Sequence, residues 1–190
     1  MKKGLPILPF ASRETWEAWL EANHETSDGL WLKLAKKNAG VDSVTYGQAV
    51  DGALCYGWID SQKGAYDENF YLQRFTPRKA RSRWSMNNRK RATELMEEGK
   101  MKEAGLREIE AAMNDGRWER AYEGQSTITV PEDLQQKLDE NPAARDFFAA
   151  LDGANRYAIL YRIHDAKKPE TRARRIEQFV AMLNEGKTIH

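Results

Sequence analysis

Strand-type alternation of apolar residues is confined to the first 75 residues of this chain, and that restricts the fold to a sheet built early, with only helices built late. Residues 30–36, Leu-Trp-Leu-Lys-Leu-Ala-Lys, alternate after the turn residues Ser27, Asp28 and Gly29, which predicts a strand. Residues 58–63 and 70–75 follow the same pattern; separated by Gly64 and the polar Asp67, Glu68 and Asn69, they predict a hairpin with a longish loop. Two helices are expected around these strands. Ser12 can cap one over residues 13–23, where Trp16, Trp19 and Leu20 share a face, and Thr45 with Gln48 forms a capping box before Ala49, Val50, Ala53 and Leu54, with Gly57 as the stop. From residue 85 onward almost only helical spacing remains. Helices are predicted near 85–98, 102–113, 132–139, 143–151, 155–165 and 170–184, punctuated by Gly99, Asn114-Asp115-Gly116, Pro131, Pro142 and Gly186. The expected class is therefore α+β: a small antiparallel sheet of about three strands flanked by helices, in a lobe over 1–125, and an all-helical C-terminal lobe over 126–190 packed on it.

A chain of 190 residues is long enough to bury a real core, and six Trp with seven Tyr argue for a folded protein. The lone Cys55 excludes an internal disulfide framework and fits a reducing compartment. Residues 1–12 imitate a secretion signal only superficially, since two prolines interrupt the few apolar residues and Arg13 and Glu14 follow at once. No apolar stretch approaches the roughly 18 residues that would cross a bilayer, and a cytoplasmic location is expected.

Charge is unevenly distributed. Residues 74–91 hold eight basic residues and no acidic one in a chain of formal charge +1, so the remainder carries −7. Trp84 and Pro77 within that segment favour a shaped cationic surface over a floppy tail. Arg89, Lys90 and Arg91 open a helix where the macrodipole disfavours positive charge, which calls for a nearby anion. Three sources are open: the protein's own carboxylates, a small phosphorylated ligand near the helix start at Ser85, or a nucleic-acid backbone.

Trp31, the run Gly57-Trp58-Ile59-Asp60, Pro77-Arg78, Ser82, Trp84, Ser85 and Asn88, Gly116-Arg117-Trp118, Ala166-Lys167, and Thr171, Arg172, Arg175 and Ile176 together resemble the bacteriocin-protection family also called YdeI/OmpD-associated. The resemblance covers nearly the whole chain. It implies a small bacterial protein linked by name to protection against bacteriocins and to a porin, with a helical C-terminal region over the last sixty or so residues, and it carries over no catalytic residue, cofactor or substrate.

Strand alternation predicts that Leu32, Ile59 and Leu72 line one sheet face and that Trp31, Lys33, Trp58, Asp60, Tyr71, Gln73 and Phe75 share the other. That second face either stacks a planar ligand or single-stranded bases, or is roofed by helices of the second half. Asp60, beside Arg74 and Arg78 of the neighbouring strand, is an acid/base group or the counter-charge that fixes two arginines. Cys55, in a last helical turn, is expected to be core with a raised pKa; His24, His164 and His190 are too dispersed for a metal site, and no phosphate-cradling or hydrolase motif is present. The expectation is a non-catalytic bacteriocin-tolerance or stress protein without metal or cofactor. It would bind an anionic small molecule or acidic protein through Arg78, Arg81, Arg83, Trp84 and Asn88, with Trp58, Asp60 and Arg74 as further candidates and Lys36 and Lys37 extending the surface. A nucleic-acid binder using the same segment and a small-molecule enzyme using Asp60 beside Tyr46 or Tyr56 are the competing classes.

Overall fold

Local capping signals set the first elements. In the computed structural model, which describes residue 2 and residues 4–190, Ser12 and Thr15 cap each other reciprocally to start α1 (Arg13–Asn23). Thr45 and Gln48 do the same for α2 (Tyr46–Cys55). Gly57, at φ +71°, then turns the chain out of α2; a Cβ there would lie 2.9 Å from the Ala104 carbonyl oxygen, so only glycine fits without strain.

The sheet is α+β in the expected sense but has four strands: β1 (Ile7–Pro9), β2 (Leu30–Ala35), β3 (Trp58–Ala65) and β4 (Phe70–Pro77), in the order β1-β2-β4-β3. The fourth strand is the short β1, which pairs parallel with β2 and makes the sheet mixed. The other two pairings are antiparallel, with β3 and β4 forming the predicted hairpin.

Register corrects the expected division of faces. Leu32 lies opposite Gln73 and Trp31 opposite Arg74, so Leu30, Leu32 and Leu34 share a face with Tyr71, Gln73, Phe75, Trp58 and Asp60. Trp31, Lys33, Ile59, Leu72 and Arg74 occupy the other. The first face is the one that α1 and α2 roof, rather than helices from the second half, while Trp31 and Leu72 are buried on the other. Trp16 and Leu20 of α1 and Ala49, Ala53 and Leu54 of α2 join Trp58, Phe75 and the β2 leucines in one core. Its centre is aromatic: Trp16 stacks on Trp19 at 5.6 Å and meets Phe75 at 5.6 Å, while Trp58 stands edge-on to both tryptophans. Trp16 Nε1 donates to the Ala49 carbonyl at 3.1 Å and Trp58 Nε1 to that of His24 at 3.1 Å, so these two indole N–H groups are satisfied.

Helices α3 (Met86–Glu97) and α4 (Glu103–Asn114) follow, then α5 (Glu132–Asp139), α6 (Pro142–Ala150), α7 (Gly153–His164) and α8 (Pro169–Asn184). The chain divides into two units: residues up to 84 with 88–121, and residues 85–87 with 122–190. The second unit has a core of its own, in which Leu134, Leu138, Ala144, Phe148, Ile159, Leu160, Ile163, Ile176, Val180 and Leu183 meet. Two polar devices hold it. Asp133 accepts two hydrogen bonds from Arg172, at 2.5 and 2.8 Å, and the buried Asn155 Oδ1 accepts from the backbone N–H groups of Ile189 and His190.

Candidate anion-binding site

The basic segment follows β4. Arg78 is buried, with its guanidinium carbon 3.5 Å from the centroid of the Trp84 ring, and Trp84, only 1% exposed, meets Trp118 edge-on at 4.8 Å. A cation held flat on a buried indole is packing as much as charge. Arg78 Nη1 also donates to the Arg83 carbonyl at 3.2 Å, and the turn between them is pinned by Lys79 N–H to Ser82 Oγ and by Arg117 Nη1 to the Ser82 carbonyl, both at 2.9 Å. Arg83 and Asn88 are half-buried; Lys79, Arg81 and Lys90 are exposed.

The anion that α3 calls for is internal where Arg91 is concerned. Its Nε and Nη2 hold the two Asp51 oxygens at 2.7 and 2.8 Å, while Nη1 reaches Glu94 at 2.8 Å and Glu98 at 3.3 Å. The Asp51 and Glu94 hydrogen bonds push its pKa above the usual arginine range. Arg89 donates to the Trp118 carbonyl at 3.0 Å. Much of the segment thus serves architecture.

The eight expected site residues do not converge on one point. Trp58 is in the aromatic core, and Arg74 projects from the face opposite Asp60, its buried Nε meeting no hydrogen-bond acceptor among the described residues. The expected ion pair of Asp60 with Arg74 or Arg78 does not form. Alternation along β4 aims Arg74 away, and Arg78 is committed to Trp84. Asp60 Oδ2 instead accepts from the Tyr46 hydroxyl at 2.7 Å and from Gln73 Nε2 at 3.3 Å. Tyr46 reaches it as the first residue of α2, while Tyr56, the other tyrosine considered, donates to Glu21.

A concavity of about 640 Å³ opens where β2 ends and the hairpin begins, lined by Lys36, Lys37, Lys63, Gly64, Ala65 and Tyr71. Lys36 Nζ donates to the Asp67 carbonyl at 2.9 Å, and Lys63 Nζ stands 4.6 Å over the Tyr71 ring. Among the described residues neither Lys37 nor Lys63 has a carboxylate within ion-pair distance. Three ammonium groups around one hollow form a local positive potential suited to an anion. Sequence reading placed Lys36 and Lys37 at the margin of a surface but missed Lys63, because its position depends on an irregularity of β3 that no spacing rule announces.

Cys55 is buried, and burial, helped by the charge of Glu17, pushes its thiol up to about 11. Desolvation, rather than the helix dipole, is the leading cause. Among the described residues no group of three or more His, Cys, Asp and Glu side chains is placed to hold a metal, and no helix is long and apolar enough to cross a membrane.

Comparison with known proteins adds two matches. Residues 8–108 match a domain of unknown function, DUF8412, and residues 127–186 match the family described as bacteriocin-protection, YdeI or OmpD-associated. The motifs around Trp31, Asp60 and Arg78 therefore fall within the first match and those around Arg172 within the second. An uncharacterized protein YdeI of Bacillus subtilis (strain 168) is 37% identical over 60 residues, which cover 32% of this chain and 30% of that relative. The chain thus spans under a third of the relative's length. No solved structure matches.

Proposed function

Because the chain belongs to the DUF8412 family, matched over residues 8–108, and its residues 127–186 match the bacteriocin-protection, YdeI or OmpD-associated family, we propose that it is a cytoplasmic, non-catalytic protein of bacteriocin-protection or stress-tolerance type that binds an anionic ligand. The observation that carries this reading is the hollow ringed by Lys36, Lys37 and Lys63. None of these three ammonium groups is ion-paired with a carboxylate among the described residues, whereas Arg91 is neutralised by Asp51, Glu94 and Glu98 and Arg78 is stacked on Trp84. The ligand site is accordingly read at the lysines.

Thermal unfolding in rising inorganic phosphate tests it. A ligand at a hundred times its dissociation constant adds about 2.7 kcal/mol of stability, and added neutral salt reduces the effect. Lys63→Ala should lose most of the stabilisation and the exposed Arg81→Ala should keep it. An absent shift in the parent protein, or loss in Arg81→Ala with retention in Lys63→Ala, overturns the assignment.

A further inference from the structure

We infer that the sheet face turned away from α1 and α2 is a docking surface for an acidic polypeptide segment, with Arg74 as its anchor. This surface is separate from the lysine hollow, whose lining includes neither Arg74 nor its neighbours Trp31, Leu72 and Ile59. Alternation builds it: Trp31 and Lys33 of β2, Leu72, Arg74 and Thr76 of β4, and Ile59 of β3 all project from this face. In the order β1-β2-β4-β3, β4 is an inner strand, so Arg74 stands within the sheet rather than at its edge. Trp31 and Leu72, although buried, belong to neither hydrophobic core. Lys2 covers Trp31 instead, with its Nζ 4.6 Å over the ring and its carbonyl accepting from Trp31 Nε1 at 2.9 Å. Lys33 Nζ lies 4.6 Å over the Tyr66 ring and 4.0 Å over that of Phe70.

Arg74 has no such engagement. Its Nε is buried without an acceptor, and among the described residues no carboxylate is within ion-pair distance of its guanidinium. Folded proteins seldom bury an N–H of a charged group unmet, so the donor points to an acceptor supplied by a partner. On one side Arg74 faces the irregular stretch of β3, where Ser61 and Gln62 are exposed and the ladder is interrupted. Charge selects the occupant. The strand residues of this face include two cations, Lys33 and Arg74, and no acid; Asp67, at the hairpin tip, lies 3.8 Å from Lys33. Trp31 and Phe70 already carry an ammonium group on their rings, which leaves nucleic-acid bases little to stack on, whereas the planar fork of an arginine takes a carboxylate in two parallel hydrogen bonds. A broad sheet face, unlike the concave sites of small molecules, suits a polypeptide. An acidic segment lying across the strands can give one carboxylate to Arg74 and rest its apolar atoms on Ile59 and Thr76.

Fluorescence anisotropy of the full chain with labelled hexaglutamate tests the surface, with labelled oligothymidylate as the competing class of partner. Hexaglutamate should bind, and more weakly as neutral salt rises. Arg74→Met, which keeps a long side chain and removes the charge, should weaken that binding about tenfold or more, the worth of one hydrogen-bonded charge pair. Arg74→Lys should recover only part of it, because an ammonium lacks the fork. Arg74→Met should also melt no lower than the parent, since the unbound protein loses only a donor that had no acceptor; a guanidinium that served the fold would show a clear drop. Lys63→Ala, in the hollow, should reduce hexaglutamate binding far less than Arg74→Met does, which separates this surface from the phosphate site. No hexaglutamate binding by the parent, unchanged binding in Arg74→Met, a lower melting temperature of that variant, a loss as large in Lys63→Ala, or tighter Arg74-dependent binding of oligothymidylate each overturns the assignment.

Discussion

Cys55 shows how a single burial sets chemistry. A thiol that ionises near 9.0 in an exposed chain holds its proton to about 11 here, so between those values the folded state binds more protons than the unfolded one and stability falls as pH rises. Below that window the contribution is complete. Denaturant titrations at a series of pH values should show the unfolding free energy declining through it, by at most about 1.4 kcal/mol per pH unit for this group, with a shallower decline in Cys55→Ala. Tyr56, raised by burial and by its hydrogen bond to Glu21, adds a decline of the same sign that begins near pH 10.0, within that window, and continues above it. The same thiol should react slowly with a maleimide at neutral pH in the folded protein. Arg91 illustrates the opposite case, a charge kept because it is fully engaged. Replacing it with Ala strips Asp51 of both its donors, and a loss of about 1.5–3 kcal/mol is expected in chemical unfolding, against a change within about 0.5 kcal/mol for the exposed Lys90→Ala.

Helix α4 obeys packing over propensity. Gly105 sits in its first turns, where alanine would ordinarily gain about 1 kcal/mol, yet an added Cβ would come within 2.5 Å of the Cys55 carbonyl oxygen and 2.7 Å of that of Leu54. Those are backbone atoms that cannot swing aside. Gly105→Ala should therefore lower the melting temperature, and a rise would show that α4 can move off the end of α2. Most elements were legible because their signals are local: Ser12 and Thr45 as caps, Gly57 as a stop, alternation in β2 and β4. Strand β1 was not, since three residues that follow Pro6 and end in Pro9 acquire their ladder only from Trp31, Leu32 and Lys33, far along the chain. The faces of the sheet were misassigned for the same reason, as the pairing of Leu32 with Gln73 is a property of two strands and not of either. The charge run marked arginines correctly as clustered but could not tell that Trp84 would sink and take Arg78 with it.

At the scale of the molecule, both the two matches and the two cores part between residues 108 and 128. The match over 8–108 lies on the elements that bury Trp16, Trp58 and Phe75, and the match over 127–186 lies on those that bury Phe148, Ile159 and Leu160. Two cores with no residue in common, each followed by its own family relationship, are what two separately inherited folding modules would leave. The fragment 122–190 should then fold without the rest. A chain of that size is marginal, burying only about 60% of the surface it exposes when unfolded, so its polar fastenings matter: Arg172 on Asp133, Asp152 at the start of α7, and Asn155 holding the backbone of Ile189 and His190. Circular dichroism of the fragment should show a helical spectrum and a cooperative thermal transition. Phe148→Ala, which empties the centre of this core at a cost of about 3–5 kcal/mol, should abolish that transition, because such a fragment has little more stability than that to lose. Phosphate should leave the fragment's melting unchanged, since Lys36, Lys37 and Lys63 are all outside it. A fragment with a broad, non-cooperative melt would mean that the second core forms only with the first, and the coincidence of family boundary and core boundary would lose its modular explanation.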